Sequence, residues 1–193
     1  MKYMIHYSAS AERDIDKALD YIINNLKNPL SAKLLQQREI SLVNNLVHFP
    51  YKHPVIDDLL LAPYKIRYVP INNYLLFYTV IEETRTIYIV RFLYSRRDWQ
   101  RILQNYVQYD EYLSKNTTYY VHENQEEFGK QFKKEPSIMT EAINNSNNNE
   151  NFNEETARLE LYDELKKGLE DIAAGRTIPA EKVFAMLREE LEK

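Results

Sequence analysis

Cysteine is absent from the 193 residues, which excludes disulfides, thiolate nucleophiles and cysteine-held metals. Glycine is almost absent: there are three, and the first is Gly129. No glycine-rich phosphate loop lies before it. The four histidines follow no metal-ligand spacing and complete no hydrolase triad. No apolar run approaches the ~20 residues of a membrane span. Met1 to Ser10 lacks the apolar core of a signal peptide. These absences predict a cytoplasmic protein with no cofactor, no metal and no membrane partner. Any chemistry must rest on Lys, Arg and Tyr.

What is present is unevenly charged. The net charge is −4, yet residues 1–108 hold 14 Lys and Arg against 10 Asp and Glu, and residues 109–193 hold 11 against 19. A basic part joined to an acidic part is suited to contact between the two. Seven asparagines fall within residues 144–153, the composition of a flexible linker. Residues 110–140 show no readable pattern beyond a short helix at 126–134, ended by Pro136.

In the basic part, Lys2 to Tyr7 reads as a strand. Ser8 or Ser10 then caps a helix with Glu12 and Asp14 in its first turn. Ile15, Leu19, Ile22, Ile23 and Leu26 follow helical spacing. Asn28-Pro29 starts a second helix bearing Leu35, Leu42, Val43, Leu46 and Val47. Tyr64 to Val69 alternates, which puts Lys65 and Arg67 on one face and Ile66 and Tyr68 on the other. Asn72-Asn73 is turn-prone and leads into an aromatic strand from Asn73 to Val80. Glu83-Thr84-Arg85 turns into a strand at Thr86–Tyr94 that meets Arg91, Arg96 and Arg97. A third helix is expected through Arg101, Ile102, Leu103 and Tyr106. The fold class is therefore α+β: a small antiparallel sheet of about four strands, with a two-helix hairpin on one face. The other face is left open for Lys65 and Arg67.

The order of four pieces resembles the RelE/ParE toxins of type II toxin–antitoxin systems. They are Tyr7-Ser8-Ala9-Ser10-Ala11-Glu12-Arg13-Asp14-Ile15, His48-Phe49-Pro50, Asn73-Tyr74-Leu75-Leu76-Phe77-Tyr78 and Leu93-Tyr94-Ser95-Arg96-Arg97-Asp98-Trp99. The likeness covers residues 1–108. A RelE-like member would cleave mRNA on the ribosome by attack of a ribose 2′-OH on the adjacent phosphate, without metal. The resemblance then implies Lys65, Arg67, Tyr94, Arg96 and Arg97 as catalytic residues and Lys52, His53 and Arg91 as RNA contacts, with ribosome and mRNA as partners. Two departures stand against it. Leu75 occupies a position where RelE-type enzymes often carry arginine, and Trp99 directly follows Asp98 where a terminal tyrosine is displaced. The expected activity is the RelE-like cleavage of mRNA, which inhibits translation; the alternatives are a ParE-like member that inhibits DNA gyrase by binding, or a catalytically inactive toxin–antitoxin fusion.

The acidic end is patterned again. Leu159, Tyr162, Leu165, Leu169 and Ile172 repeat at three- and four-residue intervals. Gly175 is placed to end that helix, and Pro179 to open another carrying Val183, Phe184, Leu187 and Leu191. Residues 154–193, above all Gly175-Arg176-Thr177-Ile178-Pro179, resemble the toxin-binding tail of RelB/Phd-type antitoxins. This implies a toxin domain at 1–108, an intervening segment at 109–153 and a tail at 154–193 that silences the toxin in cis. The expected anchors are Tyr162, Leu165, Leu169, Ile172, Phe184 and Leu187, with Glu170, Asp171 or Glu181 pairing with arginines.

Overall fold

The computed structural model describes residues 2–58, 61–96, 99, 103 and 149–191. Met1–Ser95 with Glu164–Lys193 form one compact unit, and Arg96–Asp163 form a second. In chain order the first unit contains β1 (Met4–Ser8), α1 (Ala9–Asp20), a π-helical turn (Tyr21–Asn25), α2 (Pro29–Leu46), a 3-10 turn (Ala62–Tyr64), β2 (Arg67–Ile71), β3 (Tyr74–Ile81) and β4 (Thr86–Tyr94). The end of α3 (Asn149–Ala173) returns to this unit and is followed by β5 (Thr177–Pro179) and α4 (Ala180–Leu191). Arg101, Ile102 and Tyr106 of the expected third helix, the helix at 126–134 and most of the Asn-rich run lie outside the described residues. Trp99 and Leu103 are helical. The last of the asparagines, expected in a linker, open α3 instead.

Local chemistry accounts for the element ends. The Ser8 hydroxyl accepts from the Ala11 N–H and caps α1. The Asn28 side chain accepts from Ser31 N–H, and Pro29 fills the first turn of α2. Asn72 and Arg85, in the two hairpin turns, take positive φ. Gly175, at φ 71°, ends α3 in the left-handed region that glycine enters without a Cβ penalty.

The fold is α+β, and its sheet is mixed with five strands in the order β2-β3-β4-β1-β5. β2, β3 and β4 form the expected antiparallel meander. β1 lies parallel to β4, with Ile5 opposite Ile87 and Tyr7 opposite Ile89. The parallel pairing arises because the α1–α2 hairpin carries the chain across the sheet before β2 begins, as a crossover must. The fifth strand is the turn of the C-terminal segment: Ile178 pairs antiparallel with Tyr7, and Pro179 with His6. Pro179 thus ends an edge strand, where its missing N–H costs nothing, and the helix opens one residue later at Ala180.

One face of the sheet, carrying Ile5, Tyr7, Ile87, Ile89, Leu76, Tyr78, Val69 and Ile71, packs in a single core with Ile15 and Leu19 of α1, Leu35 and Val43 of α2, and Val183, Phe184 and Leu187 of α4. The opposite face is not open as expected: Leu75, Phe77, Val90 and Leu93 are buried there or at its margin. β4 bulges at this point. Phe77 pairs with Arg91 and Tyr78 with Ile89, so Val90 has no partner on β3. The Val90 carbonyl instead accepts from Ser8 Oγ at 2.7 Å, and α3 runs over it at Gly168. A Cβ built on Gly168 would lie 2.1 Å from that oxygen.

Gly168→Ala is therefore expected to destabilise the fold by about 1–3 kcal/mol. It should do so even though alanine is intrinsically better than glycine in a helix by about 1 kcal/mol. Urea unfolding of the two full-length chains measures the difference, and a stabilised alanine variant would mean that α3 does not lie against Val90.

Candidate functional site

Arg91 is one of the RNA contacts that the resemblance implied, with Lys52 and His53. It is 6 % exposed. Its Nε donates to Asp14 Oδ2 at 2.6 Å and its Nη2 to Asp14 Oδ1 at 3.0 Å. Nη2 also lies 2.6 Å from Glu164 Oε2 on α3, and Nη1 donates to the Glu164 carbonyl. Asp14 Oδ2 further accepts from the Phe92 N–H. Burial alone would lower the guanidinium pKa, but the Asp14 hydrogen bond and both carboxylate charges outweigh it and raise it. Arg91 is thus a structural cation joining α1, β4 and α3, fully engaged within the protein.

The other basic candidates do not converge. Lys65 is exposed and left-handed, ending the 3-10 turn at φ 47°, and so does not alternate in a strand. β2 begins at Arg67, whose register partner is the core residue Tyr78. Arg67 therefore shares a face with Val69 and Ile71 on the helix-covered side, which corrects the open-face assignment. Its Nη1 donates to the His53 carbonyl, and its guanidinium sits 5.0 Å from the Tyr51 ring centroid. His53 is half-buried and edge-on to Tyr78; burial, then the charges of Lys52 and Arg67, lower its pKa and keep the imidazole neutral near pH 7. Tyr51 donates to Glu82, and Tyr78 donates to the Pro50 carbonyl. Lys52, His53 and Arg67 are thus gathered where the Pro50–His53 loop is fastened to the sheet.

Tyr94 is the last residue of β4, beside the first residue of β3. It pairs with Tyr74, four residues from Tyr78, which is ~14 Å along a strand. It is 61 % exposed, edge-on to Tyr74 at 5.6 Å between centroids. It borders an open cleft of about 840 Å³ with Tyr21, Asn73 and Tyr74. In the second unit, Arg96 is exposed, pairs with Glu160 and lies 5.2 Å from the Trp99 ring centroid. Arg97 lies outside the described residues. No group of acids and histidines among the described residues suits a metal ion. No helix among them is long and apolar enough to cross a membrane.

Residues 5–99 match the family model described as ParE toxin of type II toxin-antitoxin system, parDE. They form a RelE/ParE-family toxin domain. No curated protein matches the sequence. The family match ends before α3, so the C-terminal segment is additional to it.

That segment is built into the toxin domain's own unit. β5 closes the β1 edge, while Phe184 and Leu187 enter the core. Leu165, Leu169 and Ile172 are buried on α3; Tyr162, in the second unit, is also buried. Of the expected acidic partners, Glu170 and Glu181 are exposed, and Asp171 carries the contact. Its Oδ2 accepts from Ser10 N–H at 2.7 Å and Ser10 Oγ at 2.6 Å, and its Oδ1 from Arg176 Nε at 2.7 Å. This sets a carboxylate at the positive end of α1. Burial pushes the Asp171 carboxyl up, but the Ser10 and Arg176 hydrogen bonds outweigh it, leaving it below its ordinary value. Asp14, Ser10 and Glu164 were missed as partners. Asp14 was visible in sequence only as a first-turn acid, and Glu164 only as a polar position between helix repeats.

Two outcomes follow. Arg91→Ala leaves Asp14 without its cation and is expected to cost about 3–5 kcal/mol in urea unfolding, with Arg91→Lys recovering only part of it because ammonium lacks the fork that meets Asp14. The depressed Asp171 carboxyl contributes stability above its unfolded value, and that contribution is lost as pH falls through its folded value, below about 4. Asp171→Asn should therefore flatten the acid side of a pH–stability profile while lowering stability at pH 6. An unchanged acid limb would mean the Ser10 and Arg176 bonds add nothing.

Proposed function

We propose that the toxin domain acts by binding, as a ParE-type inhibitor of DNA gyrase, and that its C-terminal segment neutralises it in cis in the manner of an antitoxin tail. The observation that carries the first part is the dispersal of the basic residues. A phosphoryl-transfer site needs its cations and proton-moving groups aimed at one phosphate. Here Arg91 is spent on Asp14 and Glu164, and Arg67 is turned to the Pro50–His53 loop. Tyr94, the last residue of β4, pairs with Tyr74, four residues along β3 from Arg67's partner Tyr78. The match to a ParE model over residues 5–99 favours the same reading.

The second part rests on what the segment covers. Edge strand β1 is a ready template for a partner strand, and β5 occupies it. Phe184 and Leu187 are buried anchors of the kind that dominate interfaces, each worth about 1.5–3 kcal/mol of apolar burial. Tethering in one chain adds an effective concentration of order mM for a flexible connection. The Asp171 contact fixes orientation.

Cells expressing the full chain should grow, while cells expressing Phe184→Asp, which lifts α4, or residues 1–108 should arrest. Purified Phe184→Asp protein should block gyrase supercoiling and leave ribosome-bound mRNA intact. Cleavage of that mRNA, lost on Arg96→Ala, would instead assign the RelE-type nuclease. A harmless, folded Phe184→Asp chain would refute neutralisation in cis.

A further inference from the structure

Glu39, in the middle of α2, is 1 % exposed. One carboxyl oxygen accepts from the Tyr7 hydroxyl of β1. The other, Oε2, is buried and has no hydrogen-bond partner among the described residues. Three residues earlier, on the same face of α2, the Gln36 side-chain nitrogen is also buried without a partner. A carboxyl group buried with one oxygen unpartnered is disfavoured in its charged form.

Among the described residues no cation acts on this carboxyl. β1 presents Tyr7. α2 presents Gln36. α1 presents the apolar Ile15 and Leu19, and α4 presents Val183, Phe184 and Leu187. The Phe184 ring stands edge-on to Tyr7, 6.2 Å between centroids. The charged residues of α4 that flank this face, Glu181, Lys182, Arg188 and Glu189, are exposed. β5 runs beside Tyr7 through Ile178. The roof over the Tyr7–Glu39 pair is thus supplied by the C-terminal segment.

We propose that seating α4 on α2 and β1 is coupled to uptake of one proton by Glu39, so that the C-terminal segment is a proton-sensitive latch. This rests on the reading of that segment as the silencing element, and names what would regulate it. With α4 seated, burial raises the Glu39 carboxyl to about 7, against a smaller downward pull from the Tyr7 hydrogen bond. With α4 lifted, water reaches the carboxyl and it moves toward the ordinary glutamate value of about 4.3. The seated state then holds the proton that the lifted state releases. Seating is strongest below the lifted value, weakens as pH rises from about 5 to about 7, and levels off above that. The largest slope one proton permits is about tenfold per pH unit.

The absence of native cysteine supplies the probe. In the full chain, Val183→Cys places a single buried thiol on α4, and Ala185→Cys an exposed reference. The ratio of their reaction rates with an aromatic disulfide, from pH 5 to 8, gives the opening constant of α4. It should rise by up to tenfold per unit to about pH 7 and then flatten. Glu39→Gln, which keeps the shape and cannot ionise, should remove the slope. Tyr7→Phe, which removes the bond that favours the carboxylate, should move the flattening to higher pH. Far-ultraviolet circular dichroism confirms each fold, and Glu39→Met replaces Glu39→Gln if the latter unfolds. A pH-independent opening constant, or a slope retained in the Glu39 variant, overturns the latch. Growth of cells carrying Phe184→Asp separately tests silencing. Healthy growth with an intact pH slope would remove the silencing reading and leave the latch standing.

Discussion

The Arg91 guanidinium is the constraint around which the molecule is assembled. A charge at this depth is tolerable only when its donors are matched, and the matching groups come from three places in the chain. Asp14 arrives on α1 and also takes the Phe92 N–H. Glu164 arrives on α3 with both its carboxylate and its carbonyl. The helix after β1, the strand that follows the meander and the C-terminal segment therefore share one electrostatic joint. Lys167 pairs with Glu164 on its outer side and balances the second carboxylate.

Beside that joint, the bulge at Val90 gives the C-terminal segment its seat. An ordinary ladder would have used the Val90 position against β3; the register step leaves its carbonyl to Ser8 and its surface to Gly168. Only a residue without a Cβ fits there, so one of the three glycines is accounted for by close approach and another, Gly175, by its positive φ. From this seat the chain turns at Gly175 and Arg176, whose carbonyl accepts from the Ala9 N–H, and lays β5 along β1. The toxin domain's exposed edge, its α1 N-terminus and its Arg91 are engaged by one continuous stretch. Carboxyls of opposite character line it: hydrogen bonds and cations hold Asp171 and Glu164 below their ordinary values, whereas burial raises Glu39 to about 7.

Much of this was legible in the residues themselves. Apolar spacing located α1, α2 and both C-terminal helices, since periodicity records which side of a helix meets a core. Asn72-Asn73, Asn28-Pro29 and Gly175 marked turns and caps, because local φ preference and side-chain hydrogen bonds act within a few residues. The α+β class and the antiparallel meander followed from the same local signals.

What the tertiary structure alone decided is where the charges go. Arg91, Arg67 and Arg96 are alike in sequence, yet one is buried in an ion-pair joint, one fastens a loop and one stands exposed beside Glu160 and Trp99. The difference depends on partners 77, 14 and 64 residues away, a distance over which no local pattern carries information. Strand parity misplaced Arg67 because a left-handed turn at Lys65 delays the start of β2. The parallel β1–β4 pairing and the fifth strand depend on which edges are free once the helices have packed. The raised Glu39 carboxyl depends on burial from several elements at once. Local propensity chose the pieces; the cost of burying charge and of leaving a strand edge open chose their arrangement.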